Sequence, residues 1–456
     1  MVVAGSMIGS GIFIVSADIT RTVGSAGWMI IIWLLTGLLT LIAALSYGEL
    51  SGMFPRAGGQ YVYLKEAYNP LVGFLFGWSF FAVVQTGSIA AVGVAFSKFA
   101  AYIFPSLSET HIIADLRIIK ISAAQLTSIL LVVFLSYVNT KGVKEGKYIQ
   151  TLFTLVKLAA LFGLIIFGFM AANKAVWKAN WSTGFTLGKM DGKLLVPYTG
   201  MAVMGAIAGS MVGSLFSSDS WNNVTFIAGE IRNPKRNIGL SLFLGTLIVT
   251  LIYTATNFMY LSVLPLQGIA HAENDRVGVE AAKLIFGGNG TKILAVLLMI
   301  STFGCNNGLI LSGARVYYTM AKDGLFFPQA GQLNRNDVPS RGLWIQCLWA
   351  SVLCLSGRYN ELLDYVIFTV LIFYILTVAG IFVLRRRRPD IHRPYKAFGY
   401  PVLPLLYILA ASAICVSLLV YKPKFTFPGL GIVLLGIPIY WFMWRGKQVR
   451  EEVVLK

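Results

Sequence analysis

Three places in this chain set polar groups inside otherwise apolar sequence. The first is "MIGSGIF", residues 7–13, in which two glycines bracket a serine. Gly disfavours a helix interior by about 1 kcal/mol relative to Ala, so Gly9, Ser10 and Gly11 predict a helix opened at that point. The second is "MVGSLFSSDSWNNVTFIAGEIRNP". Apolar helical character there runs into Phe216, is interrupted over residues 217–220, and is expected to resume at Trp221. The third is Lys157 in "TLFTLVKLAAL", a cation with no neutralising residue nearby in the sequence.

The chemistry of such breaks is specific. Where a helix resumes, its first N–H groups and positive dipole end face the gap and favour an anion such as a carboxylate. Where the preceding half-helix stops, free carbonyls suit an ammonium. Together they fit the head group of an α-amino acid. The glycines keep side chains away so that a ligand can approach the backbone. The competing reading is a small-residue packing patch of the kind common between membrane helices. Asp219 lies in the second break, and an acidic residue in an apolar span marks a functional site. It either caps residues 221–223 as an N-cap, the favoured reading, or meets a cationic ligand side chain.

The elements that must position these groups are membrane helices. The 456-residue chain is 57% hydrophobic and only 12% charged, with a mean hydropathy of +0.73. Soluble domains carry about 25% charged residues, so this is a polytopic membrane protein. A hydrocarbon core of about 30 Å needs roughly 20 apolar residues per helix. That ruler predicts twelve spans, near 1–22, 27–51, 71–104, 122–138, 148–171, 196–228, 238–263, 291–320, 341–356, 360–384, 402–421 and 429–445. The first span has few residues before Gly9, which suggests an N-terminal truncation.

The net charge of +18 gathers in short loops: Lys141, Lys144 and Lys147; Arg232, Lys235 and Arg236; and Arg385 to Arg388 with Arg393 and Lys396. With both termini cytoplasmic, the inner side carries the excess of Lys and Arg, which is the positive-inside pattern. No zinc spacing or aromatic-interleaved basic domain accompanies the charge, so nucleic acid is not the expected partner. The cysteines, Cys305, Cys347, Cys354 and Cys415, all fall in apolar segments, and no disulfide framework is expected.

The two interrupted helices lie five helices apart, each the first of its half. That arrangement points to an inverted-repeat transporter with a midplane substrate site. A channel would instead show a continuous polar pore. An enzyme is not supported: there is no HExxH, GxSxG or Cys–His pair, and His111, His271 and His392 fall in loops. Neither a cofactor nor a metal is expected.

The stretches "GSMIGSGIF", "ELSGMFPRAGGQYVYLKEAYNP", "SWNNVTFIAGEIRNPKRNI", "STFGCNNGLILSGARVYYTMAKDGLFFP" and "LRRRRPDIHRPYKAFGYPVLP" occur in order along the whole chain. On them, the chain resembles the amino acid–polyamine–organocation (APC) superfamily, closest to its L-type amino acid transporter branch in a prokaryotic-like form. The resemblance implies an all-α membrane protein of 12 transmembrane helices with the leucine-transporter fold. That fold is a 5+5 inverted repeat with helices 1 and 6 broken. Residues 1–384 would form the transport core, with repeats at 1–171 and 196–384. Residues 385–456 would hold a basic loop, peripheral helices 11 and 12 and the tail.

The resemblance also implies roles. Ser10, Gly11 and Ile12 match the carboxylate-binding turn. The carbonyls of Met7, Phe216 and Asp219 would accept from the substrate ammonium, and Phe216 matches the aromatic that closes over substrate as a gate. The sequence departs from the family in "SSDSW", where Ser218 stands for an aromatic and Ser220 for a glycine. Lys157 would replace a sodium ion, bridging helix 1 near Gly9 and helix 8 near Ser301. The alternative, a snorkelling lysine, is disfavoured because it lies about nine residues into its span, roughly 14 Å deep. Lys98 is read as snorkelling outward.

The implied activity is α-amino acid transport by alternating access, with exchange favoured and proton-coupled symport through Lys157 as the alternative. Gln85, Thr86 and Ser88 either line the pocket or bond helix to helix, and Asn306 and Asn307 are read as interhelical glue. Arg56 and Glu230 are expected near an inner gate. The arginine run is read as a topology anchor that can touch anionic lipid. Animal relatives pair with a heavy subunit through a cysteine after helix 3. Residues 105–121 contain none, so no disulfide-linked partner is expected, and a bacterial-type inner membrane is the expected location.

Overall fold

The structure, a computed structural model, describes residues 2–115, 120–191, 194–356 and 359–454. Its helices, in chain order, are α1 Val2–Met7, α2 Gly11–Val23, α3 Ala26–Met53, α4 Gln60–Ala67, α5 Pro70–Ser79, α6 Gln85–Ile103, α7 Ala123–Thr140, α8 Val143–Met170 and α9 Lys174–Trp181. They continue as α10 Ala202–Ser217, α11 Asn223–Phe226, α12 Pro234–Val263, α13 Leu266–Ala270, α14 Val277–Lys322, α15 Ser340–Ser356, α16 Tyr359–Arg387, α17 Val402–Tyr421 and α18 Pro423–Val454. The all-α expectation holds for the apolar segments. Two short antiparallel hairpins sit between helices: β1 Ile112–Asp115 with β2 Lys120–Ser122, and β3 Gly188–Asp191 with β4 Leu194–Pro197.

Among the described residues, nine helices are long and apolar enough to cross a membrane. The three other expected spans differ for physical reasons. The first and sixth are interrupted, as their glycines and serines predict. The ninth, α15, is 17 residues long and carries Ser340, Arg341, Gln346 and Ser351.

Local sequence explains several boundaries. Asn69 caps α5 by accepting from the Val72 amide, with Pro70 at the first helical position. Ser122 and Gln125 form a capping box at α7. The span 277–322 bends at Gly287, whose φ of 70° and ψ of −171° lie outside helical geometry. Between α5 and α6 the helix widens into a π-turn over Phe80–Val84. The displaced carbonyls find side-chain donors: Thr86 Oγ1 donates to Phe81 O at 2.6 Å, and Trp349 Nε1 to Ala82 O at 2.8 Å.

The core lies between helices rather than beneath a sheet. α12 packs along α3, α14 lies against α6 and α8, and α10 runs beside α2. Large apolar side chains face outward along the bundle, including Leu348, Leu130 and Phe442, as a lipid-exposed surface requires. Polar pairs join helices inside it: Ser16 donates to Asn257 at 2.7 Å, Thr36 meets Ser214 at 2.7 Å, and Asn139 donates to Asn307 at 2.8 Å. At one end, Glu49 is fully buried and accepts from Arg385 Nε at 3.0 Å, Arg385 Nη2 at 2.7 Å and the Ala397 amide at 2.7 Å. The first arginine of the basic run is therefore a structural tie from α16 to α3.

Candidate functional site

The first break is where the glycines place it. α1 stops at Met7, its last helical bond running from the Ile8 amide to Ala4 O at 3.0 Å, and α2 starts at Gly11. Ser10 stands at the N-cap position without making a side-chain capping bond. The Gly11 and Ile12 amides, first in α2, have no carbonyl of their own helix to meet, while Phe13 N–H turns back to Ser10 O at 3.0 Å.

The second break is longer than expected. α10 ends at Ser217, and the chain is irregular until α11 begins at Asn223, so the helix does not resume at Trp221. Ser220 adopts a φ of 64°, a left-handed conformation that favours glycine. Trp221 is 2% exposed and packs between Tyr47 on α3, at 4.7 Å between ring centroids, and Tyr374 on α16, at 5.4 Å. Those aromatic contacts hold the chain away from the helical path that local sequence would follow.

Asp219 acts differently from the favoured cap. Its Oδ1 accepts from Tyr374 Oη at 2.5 Å, and α11 has no side-chain cap. The carboxylate thus ties the second break to α16.

The two breaks meet. A Cβ on Gly11 would fall 2.0 Å from Ser217 Oγ, and one on Gly9 would fall 3.2 Å from Cys305 Sγ. In this conformation both glycines permit close approach of protein atoms. Tyr253 on α12 spans the contact: its hydroxyl lies 3.0 Å from Met7 O and 3.1 Å from Ser217 O, one carbonyl from each break. One turn and two turns further along α12, Asn257 accepts from Ser16 and Tyr260 donates to Ile12 O at 3.3 Å.

Around this junction lies a small cavity of about 20 Å³, room for about one water, bordered by Met7, Gly9, Ser10 and Gly11 from the first break, and by Phe216, Asp219 and Ser220 from the second. Ser88 and Cys305 form its side walls. A second small space, also of about 20 Å³, shares Ser88, Asp219 and Ser220 with it and extends toward Gln60, Gln85, Asn222, Asn223 and Tyr374. Phe216 is half-buried and stands on the wall of the first cavity, in contact with both halves of the apolar core.

Lys157 is 1% exposed and bonds to the end of α1. Its Nζ donates to the Gly5 carbonyl and to Ile8 O, the latter at 2.7 Å. A cation at the carbonyl end of a helix is favourably placed against the dipole. The bonds fall just before the expected Gly9. Ser301 Oγ has no hydrogen-bond partner among the described residues, so the expected bridge to helix 8 is not made. Instead Cys305, one turn further along α14, points its thiol toward Ser6 O at 3.7 Å.

Of the remaining candidates, Gln85 bonds helix to helix, donating to Leu309 O at 2.5 Å, and also borders the second cavity. Thr86 serves the π-turn, and Ser88 donates to Val84 O while facing both spaces. Asn307 is interhelical glue, whereas both amide atoms of fully buried Asn306 lack partners among the described residues. The side chain of Glu230 lies outside the described set, so the pairing with Arg56 falls there too. Sequence reasoning missed Tyr253 and Tyr374. The Tyr253–Asn257–Tyr260 spacing, a polar stripe on an apolar helix, is a signal that could have found the first. No group of His, Cys, Asp and Glu among the described residues is placed to hold a metal ion.

The sequence profile named amino acid permease matches residues 1–444. Among curated proteins, the serine/threonine exchanger SteT of Bacillus subtilis (strain 168) is 29% identical over 449 residues, covering 98% of this chain and 95% of that protein. Asc-type amino acid transporter 1 of Mus musculus is 28% identical over 450 residues, with 98% and 80% covered. The b(0,+)-type amino acid transporter 1 of Homo sapiens is 27% identical over 450 residues, with 97% and 85% covered.

Proposed function

The chain belongs to the amino acid permease family, and from that premise we propose that it is a secondary active transporter of α-amino acids that works by alternating access as an exchanger. The observation that carries the reading is the meeting of two broken helices around one cavity, with the start of α2 and the end of α10 both on its wall. The substrate carboxylate is assigned to Ser10 and the amides of Gly11 and Ile12. Its ammonium is assigned to the carbonyls of Met7, Phe216 and Asp219, and Phe216 closes over it as the gate. Because Gly11 rests on Ser217 in this conformation, admission of substrate requires α2 and α10 to part.

The architecture proposed is twelve spans in the 5+5 inverted-repeat arrangement, with a core of residues 1–384, peripheral helices in 385–456 and both termini cytoplasmic. The names of similar proteins, an exchanger and several amino acid transporters, favour exchange. We assign no disulfide-linked heavy subunit, since residues 105–121 lack cysteine, and the membrane proposed is a bacterial-type inner membrane.

One observation favours a second coupling mode. Lys157 is buried and its hydrogen bonds go to carbonyls, so its proton is held without a carboxylate and could serve a proton-coupled symporter.

The experiment is uptake of labelled neutral and cationic amino acids into proteoliposomes, with the lumen empty, loaded with amino acid, or with an inward proton gradient. Uptake only into loaded vesicles is the expected result. Gradient-driven uptake into empty vesicles, lost in Lys157→Ala, would establish symport. No uptake in any arm would overturn amino acid transport.

A further inference from the structure

The segment between α12 and α14 carries Asp275 and Arg276 side by side, and they grip different walls of the bundle. Asp275 Oδ1 accepts from Arg21 Nη1 of α2 at 2.7 Å, and the same nitrogen donates to Ala270 O at 2.7 Å. Arg276, 4% exposed, donates from Nη1 to Lys98 O on α6 at 3.3 Å, and its guanidinium lies 5.1 Å from the Tyr102 ring centroid. Asn274 and Asp275 both take left-handed backbone conformations, with φ of 53° and 62°. This double turn lets neighbours in sequence reach two separate helices.

Those helices are the two that matter at this end of the site. α2 starts at the first break, and α6 carries Ser88 on the cavity wall. The start of α14 completes the closure, since a Cβ on Gly278 would fall 2.7 Å from the ring of Phe13. Ser10 is 1% exposed beneath it. The Arg21–Asp275 pair has side chains 31% and 21% exposed, and an ion pair so open to water is weak enough to break during a transport cycle.

We propose that Arg21, Asp275 and Arg276 form a latch on the α2 end of the bundle, holding α2 to α6 through the 264–276 segment and releasing to admit substrate from the outer side. The latch rests on the transport reading and its topology. Its members are positioning residues: they touch no substrate, and they set how often the cavity opens.

Cys305 provides the readout, because it lines the cavity while Cys347, Cys354 and Cys415 are buried elsewhere. In full-length protein with those three changed to Ala, Cys305 is reacted from the outside with a charged, membrane-impermeant methanethiosulfonate. Arg21→Gln and Asp275→Asn are each expected to speed labelling about threefold to fivefold over the parent, the size of one lost partly exposed ion pair. Arg21→Lys, which keeps the charge but not the fork, should fall between. Labelling in both neutral variants at the parent rate overturns the latch. A version retaining only Cys415 separates opening from unfolding, and labelling there too counts against the latch. Amino acid exchange in the same vesicles tests transport by itself, so a parent without exchange but with the labelling response would remove the transport reading and keep the latch.

Discussion

Gly11 and Ser217 are the point at which the two interrupted helices touch, with the site of a Gly11 Cβ lying 2.0 Å from Ser217 Oγ and 3.1 Å from Ser217 Cα. The first break therefore depends on a missing methyl group in two ways. It opens the helix locally, and it lets α2 seat against the end of α10.

Gly11→Ala should cost about 1–3 kcal/mol, the usual penalty of forcing a methyl group into a packed contact. Adding Ser217→Gly removes the opposing Cβ and Oγ and should recover part of the loss. Thermal unfolding of the detergent-solubilised single and double variants measures the coupling. Strict additivity would show that the two residues do not clash.

Lys157→Met keeps much of the side-chain volume but leaves the Gly5 and Ile8 carbonyls without their donor. An unmet buried polar group costs about 1–3 kcal/mol, and here the loss falls on the end of α1. Exchange in proteoliposomes should drop to about one-tenth or less. Wild-type rates in this variant would remove Lys157 from the mechanism.

Ser220 sits in a conformation that costs an L-residue roughly 1–2 kcal/mol. Ser220→Gly removes that strain while making the unfolded chain freer, which costs about 0.5–1 kcal/mol. The net expectation is an unchanged or slightly raised melting temperature. Ser220→Val, β-branched at the same φ, should melt clearly lower, and equal melting of the two variants would contradict the assigned backbone.

Tyr253→Phe removes the hydroxyl shared by Met7 O and Ser217 O and retains the edge contact of the ring with Trp33 at 5.4 Å. Losing one such hydrogen bond is worth about 1 kcal/mol, so the apparent KM for exchange should rise about fivefold with little change in expression. A KM equal to wild type would show that the bridge is not part of the substrate-ready site.

By itself the amino-acid sequence determined that this is a membrane protein of apolar helices, that the first helix opens at Gly9 to Gly11, that the sixth span is interrupted after Phe216, and that Lys157 lies deep. Those features act within a few residues: chain length against bilayer thickness, the helix penalty of glycine and the cost of an unpaired charge. Tertiary structure alone decided that the helix after the second break waits until Asn223, because Trp221 lodges between Tyr47 and Tyr374. Packing also turned the Asp219 carboxylate to Tyr374, put Tyr253 across both breaks, and gave Lys157 to Gly5 and Ile8, while Ser301 Oγ has no partner among the described residues. Each of those partners comes from another helix, and local propensity carries no information about which distant side chain will satisfy a buried polar group.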